Sequence, residues 1–166
     1  PLKKEDLANP ERTDVLVIGA GVAGLSAAIE AADAGAKVVL LTKDSFDLTN
    51  TYWAQGGIAC AWAEEGNFDG HIKDTIDVGQ GLCGKDVVET IVKAGPDRVK
   101  KLIEWGCHFD LDEKGEIVLG REGGHQVARV LHARGDATGS EIEDVLSLHA
   151  KGIANLQIRE NVFVLD

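Results

Sequence analysis

Hydrophobic and polar positions change period several times along the chain, and each change marks an element. Val15 to Ile18 is an unbroken β-branched and leucine run, the pattern of a strand buried on both faces of a parallel sheet, and Gly19 ends it. From Val22 to Ala34 the chain is alanine-rich, with Leu25, Ile29 and Ala32 at helical spacing and Gly35 as a stop. Lys37 to Leu41 returns to a strand pattern. Asp44 to Ala63 holds no clean period, which predicts a long loop with one short helix at most; loops of that length inside a domain are usually functional. Asp69 to Val78, Lys85 to Ala94 and Pro96 to Trp105 read as three helices forming an insertion near the sheet, with Pro96 at the first position of the third and Gly106 just past its end. Ile117 to Leu119 reads as a short strand, Gly120 to Gly124 as a turn, Thr138 to Lys151 as a helix and Val162 to Leu165 as a late strand.

The order strand, helix, strand at the start predicts an α/β fold: a Rossmann-like, three-layer dinucleotide-binding domain on a parallel sheet, over residues 14–166, behind an extension at 1–13. Gly19-Ala20-Gly21-Val22-Ala23-Gly24 matches G-x-G-x-x-G between a buried strand and a helix, the context that makes the pattern specific. In that pattern Gly19 makes the tight turn, Gly21 admits a pyrophosphate to the backbone, and Gly24 lets helix and strand pack closely. The helix N-terminus then offers N–H groups and a favourable dipole to the phosphates. After the second strand, where an acid usually binds the ribose, stand Thr42-Lys43-Asp44. Lys43 could pair with a phosphate or shield the ribose, Asp44 could be the ribose acid, and a solvated strand-end charge is the bland alternative for Lys43.

Two further segments suit a ligand wall. Asn50, Thr51, Tyr52, Trp53, Ala54, Gln55, Gly56 and Gly57 combine hydroxyl, amide and glycine positions in a stretch too apolar for a solvent loop. Backbone N–H groups of Gly56 and Gly57 could approach a planar ring such as a flavin and donate to its N5 and O4 edge, against the alternative of a tight turn under the core. Arg121-Glu122-Gly123-Gly124-His125 sets charges among glycines, as either a pocket wall or a surface turn.

Composition narrows the partners. With 17 Lys plus Arg against 28 Asp plus Glu, the net charge of -11 argues against a nucleic-acid partner. The longest apolar stretch, Gly19 to Gly35, is broken by Ser26, Glu30 and Asp33, short of the roughly 18 apolar residues of a membrane span. Residues 1–12 lack a signal peptide's apolar core. Cys60, Cys83 and Cys107 lie far apart with no metal-ligand spacing, so no metal site is expected. They read as reduced, buried thiols of a cytoplasmic protein.

Taken in order, DVLVIGAGVAGLSAA, TNTYWAQGGIA, HIKDTIDVGQGLC, the stretch to WGCHFD, and REGGHQVARVLHARGDATG resemble the succinate dehydrogenase and fumarate reductase flavoprotein family, and within it the L-aspartate oxidase branch, over nearly all of residues 14–166. The resemblance implies that the dinucleotide is FAD, contacted by the glycine loop, by Lys43 and by Asn50 to Gly57. Membrane-bound members carry a histidine bonded covalently to FAD where this chain has Asn50, so the flavin is expected to be non-covalent. Glu122 occupies the place of a glutamate that the branch supplies to its substrate pocket, where dicarboxylate-only relatives have glutamine; a carboxylate there would favour a substrate bearing an ammonium group. The bland alternative pairs Glu122 with Arg121 or another arginine. Gln126 stands where serine is usual, which weakens the case for a local polar network around His125. His125 and His132, seven apart, fit one helix face and read as satisfied structural residues, while His71, His108 and His149 carry no motif.

The implied reaction is oxidation of L-aspartate to iminoaspartate, with oxygen or fumarate as acceptor, the product feeding quinolinate synthase in NAD biosynthesis. The family's acid/base arginine, substrate histidines and capping domain have no counterpart in these residues. The chain is therefore expected to be an N-terminal fragment that catalyses poorly alone and exposes an unpaired sheet edge. The alternatives are a soluble fumarate reductase or succinate-oxidising relative, a catalytically inactive flavin-binding module, and a nicotinamide-dependent dehydrogenase, the last disfavoured by the Asn50 to Gly57 stretch.

Overall fold

In the computed structural model, which describes residues 10–63 and 67–165, the chain divides into two units, Pro1–Thr49 with Leu146–Asp166 and Asn50–Val145. Residues 1–9 of the expected extension lie outside the described residues.

The first unit is built on three parallel strands in the order β1-β2-β6: β1 (Val15–Ile18), β2 (Val38–Leu41) and β6 (Leu156–Arg159). The helix α1 (Val22–Asp33) crosses from β1 to β2 and buries Leu25, Ala28, Ile29 and Ala32. Val38, Val39 and Leu40 of the central strand are buried, and this is the core of the unit. β1 departs from the expectation of burial on both faces: Leu16 and Ile18 are 53% and 62% exposed, because the described residues place no layer over them. The late strand falls at Leu156–Arg159 and not at Val162 to Leu165. Register explains the shift: Asn155 donates through Nδ2 to the carbonyls of Ala32 and Ala36 (2.8 and 2.7 Å), which ties the chain to the end of α1 and delivers Leu156 opposite Val38. Past β6, Phe163 and Leu165 stay exposed. The close of the extension is tied as well, since the Thr13 hydroxyl donates to the Lys37 carbonyl (2.6 Å) and Glu11 pairs with Arg159.

The second unit carries a small antiparallel sheet in the order β3-β5-β4, from β3 (Ile58–Ala59), β4 (Leu119–Gly120) and β5 (Val130–Leu131). The helices α2 (Asp69–Val78) and α3 (Lys85–Glu104) share a core of Ile72, Val88 and Val92, flanked by Phe68, Ile76 and Cys83. Where two helices were expected to meet at Pro96, a single helix runs through it. Proline in a helix interior forfeits a hydrogen bond, but the apolar stripe Val88, Val92, Val99, Leu102 is continuous across it, and its burial outweighs the break. The expected strand at Ile117 to Leu119 begins at Leu119. The loop read from Asp44 to Ala63 contains a 3-10 turn at Phe46–Leu48, within the first unit, and β3, unforeseen, within the second. The last helix, α4 (Thr138–Lys151), has its first residues in the second unit and Leu146 onward in the first.

Candidate functional site

In the first unit, the chain leaves β1 through Gly19 at φ +104°, a left-handed conformation that glycine adopts without strain. α1 opens at Gly21 with no side-chain cap and no acid in its first turn, so its positive end is not neutralised from within. Gly24 closes the geometry: a Cβ there would stand 1.9 Å from the Gly19 carbonyl oxygen. Ala20 is buried beneath this turn, while Val22 and Ala23 lie on its exposed side. Lys43 is exposed just past β2, beside a Thr42 whose N–H and carbonyl are engaged by Arg159 and Val162.

In the second unit, Asn50 is exposed and Thr51, Tyr52 and Trp53 form a turn, with the Tyr52 and Trp53 rings edge to face at 5.6 Å. This turn packs on the start of α4, where the Gly139 N–H donates to the Ala54 carbonyl (3.1 Å); a Cβ on Gly139 would stand 1.9 Å from the Thr51 oxygen. Ala54 and Gln55 follow it exposed. The Gly56 N–H, expected to serve a flavin edge, donates instead to Asp136 Oδ1 at 2.7 Å. Asp136 thereby fixes the stretch. Gly57 lies against β5, where a Cβ would stand 2.2 Å from the Leu131 oxygen.

The same sheet brings Arg121 to His125 up to the glycine stretch. Glu122 finds its partner in a histidine and not in Arg121; its Oε1 lies 2.7 Å from Nε2 of His132. Arg121 donates through Nε to the His125 carbonyl (3.2 Å), closing the turn. His125 and His132 do not share a helix face, because the residues between them form a turn and β5. The polar network around His125 is present despite Gln126: Asp74 Oδ2 accepts the Gln126 backbone N–H (2.9 Å) and Arg129 Nη1 (2.6 Å), and that same Nη1 lies 3.1 Å from His125 Nδ1. A backbone donor is indifferent to the side chain it carries, which is why serine is not needed. Asp74 and Arg129 are only 4% and 1% exposed. The Gln126 N–H, and then the Arg129 guanidinium, hold the Asp74 carboxyl below the usual carboxylate range.

At the entry to α4, Glu141 accepts the His108 N–H (2.7 Å) and pairs with Arg134 (2.8 Å). Burial, and then Glu141, push the nearby Cys107 thiol up to about 12, so it is inert at neutral pH. All three cysteines are free thiols; Cys60 and Cys107 are buried and Cys83 packs on the α2–α3 core, as small apolar residues. A cavity of about 420 Å³ borders β3, α2 and α3, but Glu122 and His132 do not line it. Among the described residues no helix is long and apolar enough to cross a membrane.

The glycine turn, the parallel sheet and the second glycine stretch coincide with a match to the FAD binding domain family over residues 14–166. The chain belongs to that family. Its cofactor is FAD. Among relatives, it is 46% identical over 155 residues to an L-aspartate oxidase of Streptomyces coelicolor, covering 92% of this chain and 26% of that protein. It is 39% identical over 153 residues to the chloroplastic L-aspartate oxidase of Arabidopsis thaliana, covering 92% and 23%. The chain thus spans about a quarter of the length of the curated relatives it matches. Among solved structures, E. coli quinol fumarate reductase matches with a TM-score of 0.87 at 33% identity, over 93% of this chain and 26% of that one. A Mycobacterium smegmatis Sdh1 complex matches at 0.82 and 33%, over 90% and 27%.

Asp136 and Asp74 escaped the sequence reading. Asp74 carries one weak signal, its place three residues from His71 on the flank of α2's buried side; Asp136 carries none, since its partner Gly56 lies 80 positions away.

Proposed function

We propose that this chain is the FAD-binding part of a flavin-dependent oxidoreductase that oxidises L-aspartate to iminoaspartate. The uncapped start of α1 and the Gly19–Gly24 closure fit a pyrophosphate, which Gly19, Ala20, Gly21, Val22, Ala23 and Gly24 would hold through the main chain. Lys43 would add a cation at the ribose or phosphate. Asn50, Thr51, Tyr52, Trp53, Ala54, Gln55 and Gly57 would bound the ring, with Gly56 held in shape by Asp136. Asn50 has no nucleophile for a flavin linkage, so the cofactor is held non-covalently. Bound FAD supplies the two-electron acceptor that no side chain provides.

The observation that carries the substrate is the placement of Glu122. Its carboxylate is half exposed and anchored through His132 beside Gly57, while Arg129 is engaged at Asp74 and Arg121 at the His125 carbonyl. An ammonium group on a dicarboxylate finds there a partner that succinate does not. The likeness to fumarate reductase supports a second reading, a succinate-oxidising or fumarate-reducing enzyme. We take oxygen or fumarate as the electron acceptor and quinolinate synthase as the consumer of the product in NAD biosynthesis. The reduced state of the three thiols supports a cytoplasmic setting. Assay of the complete gene product with aspartate and succinate decides between the readings: aspartate is expected to be preferred, and Glu122→Gln to erode that preference. An unchanged preference in that variant overturns the role of Glu122, and a wild-type preference for succinate overturns the aspartate reading.

A further inference from the structure

The two members of the Glu122–His132 pair are unequally held. Glu122 is 51% exposed on a turn and its side chain makes no other bond among the described residues, whereas the His132 side chain is 23% exposed. The imidazole is clamped between two main chains. A Cβ on Gly57 would stand 3.0 Å from its Cδ2, and one on Gly120 would stand 2.7 Å from its Cε1, so these two glycines make the slot in which the ring lies. The backbone of His132 is pinned as well: it directly follows β5, and its carbonyl accepts the Asp110 N–H at 2.8 Å. The ring is the fixed member, and the carboxylate is the member it places.

We propose that His132 is the positioning residue for amine recognition: clamped between Gly57 and Gly120, it donates from Nε2 to Oε1 of Glu122 and leaves Oε2 for the ammonium group of the substrate. The inference rests on the aspartate-oxidising reading and deepens it. An ionised carboxylate can only accept, so Nε2 carries the hydrogen in this contact. A lysine or arginine in the same slot would bring a permanent counter-charge and cancel the charge on which discrimination depends; imidazole holds the geometry without that permanent charge. The ring also joins the Gly57 stretch to the Glu122 carboxylate through one rigid body, so the two keep their spacing.

The test is steady-state kinetics of the complete gene product with its flavin, comparing kcat/KM for aspartate and for succinate. His132→Phe keeps a ring in the slot and removes the donor; it is expected to lower the aspartate-to-succinate ratio roughly tenfold, mainly through KM for aspartate, with the flavin absorbance retained. His132→Gln, which retains a donor of similar reach, is expected to recover most of the ratio. With Glu122→Gln already present, adding His132→Phe is expected to change the ratio no further. If His132→Phe loses the flavin, His132→Asn, which fits the slot but falls short of the carboxylate, is judged by the same ratio. A ratio unchanged by the His132 substitutions, or lowered equally with and without Glu122→Gln, overturns the role of His132 while the aspartate reading stands. A ratio unmoved by Glu122→Gln alone overturns the role of Glu122 and that of His132 with it, whereas a wild-type preference for succinate overturns the aspartate reading itself.

Discussion

The first unit makes its candidate site from main chain, and the second makes its own from side chains. Around Gly19 to Gly24 every feature is a property of consecutive residues: a left-handed turn, an uncapped helix end and the absence of a Cβ where helix meets strand. Around Glu122 nothing is local in that sense. The turn is held by Asp74, 52 positions from Gln126 and 55 from Arg129, and the neighbouring glycine stretch by Asp136, 80 positions from Gly56. A site made of backbone tolerates most side chains and fails where an added atom has no room. One made of buried charges tolerates changes of size and fails when a partner is removed.

The sharpest way to break this contrast is Asp74→Ala. It strands the buried Arg129 guanidinium and is expected to cost about 3–5 kcal/mol in urea denaturation. A smaller loss than that of Gly24→Ala would mean that the second unit does not depend on its charges. The same pair sets an acid dependence. Because the folded carboxyl of Asp74 is held below its unfolded value of about 3.9, its contribution is complete above that pH and is lost as the pH falls through the folded value. The stability gap between wild type and Asp74→Ala should therefore narrow below pH about 4, and a gap constant with pH would contradict the assignment. Next in size is Gly24→Ala, whose methyl group meets the Gly19 carbonyl at 1.9 Å. It should cost about 1–3 kcal/mol and weaken FAD retention, read by thermal melts and flavin fluorescence. Asp136→Ala removes the acceptor of the Gly56 N–H on an exposed edge. About 0.5–1.5 kcal/mol is expected, and a loss larger than that of Gly24→Ala would show that the glycine stretch is the more tightly braced of the two. Smallest on stability is Glu122→Gln, under about 0.5 kcal/mol by denaturant midpoint, because the side chain is half exposed; its effect belongs to substrate preference.

By itself the sequence determined β1, α1 and β2, the glycine turn between them, and the bounds of α2 and α4, because hydrophobic period and glycine placement act over a few residues and read out directly as backbone shape. It also marked Glu122 and the Asn50 to Gly57 stretch as chemically unusual. Tertiary structure decided what those residues do with one another. Pro96 sits inside one long helix because a buried stripe outweighs one missing hydrogen bond. The third parallel strand lies at Leu156–Arg159 because Asn155 ties the chain to the end of α1, a contact across more than a hundred positions. Gly56 spends its N–H on Asp136, Gln126 joins the network through its backbone, and His132, which reads as an ordinary structural histidine, receives Glu122. The physical reason is common to all of these. A side chain's charge and length are written in the sequence, but the partner that satisfies it is set by which strands and turns the fold brings within about 3 Å, and no local pattern carries that distance.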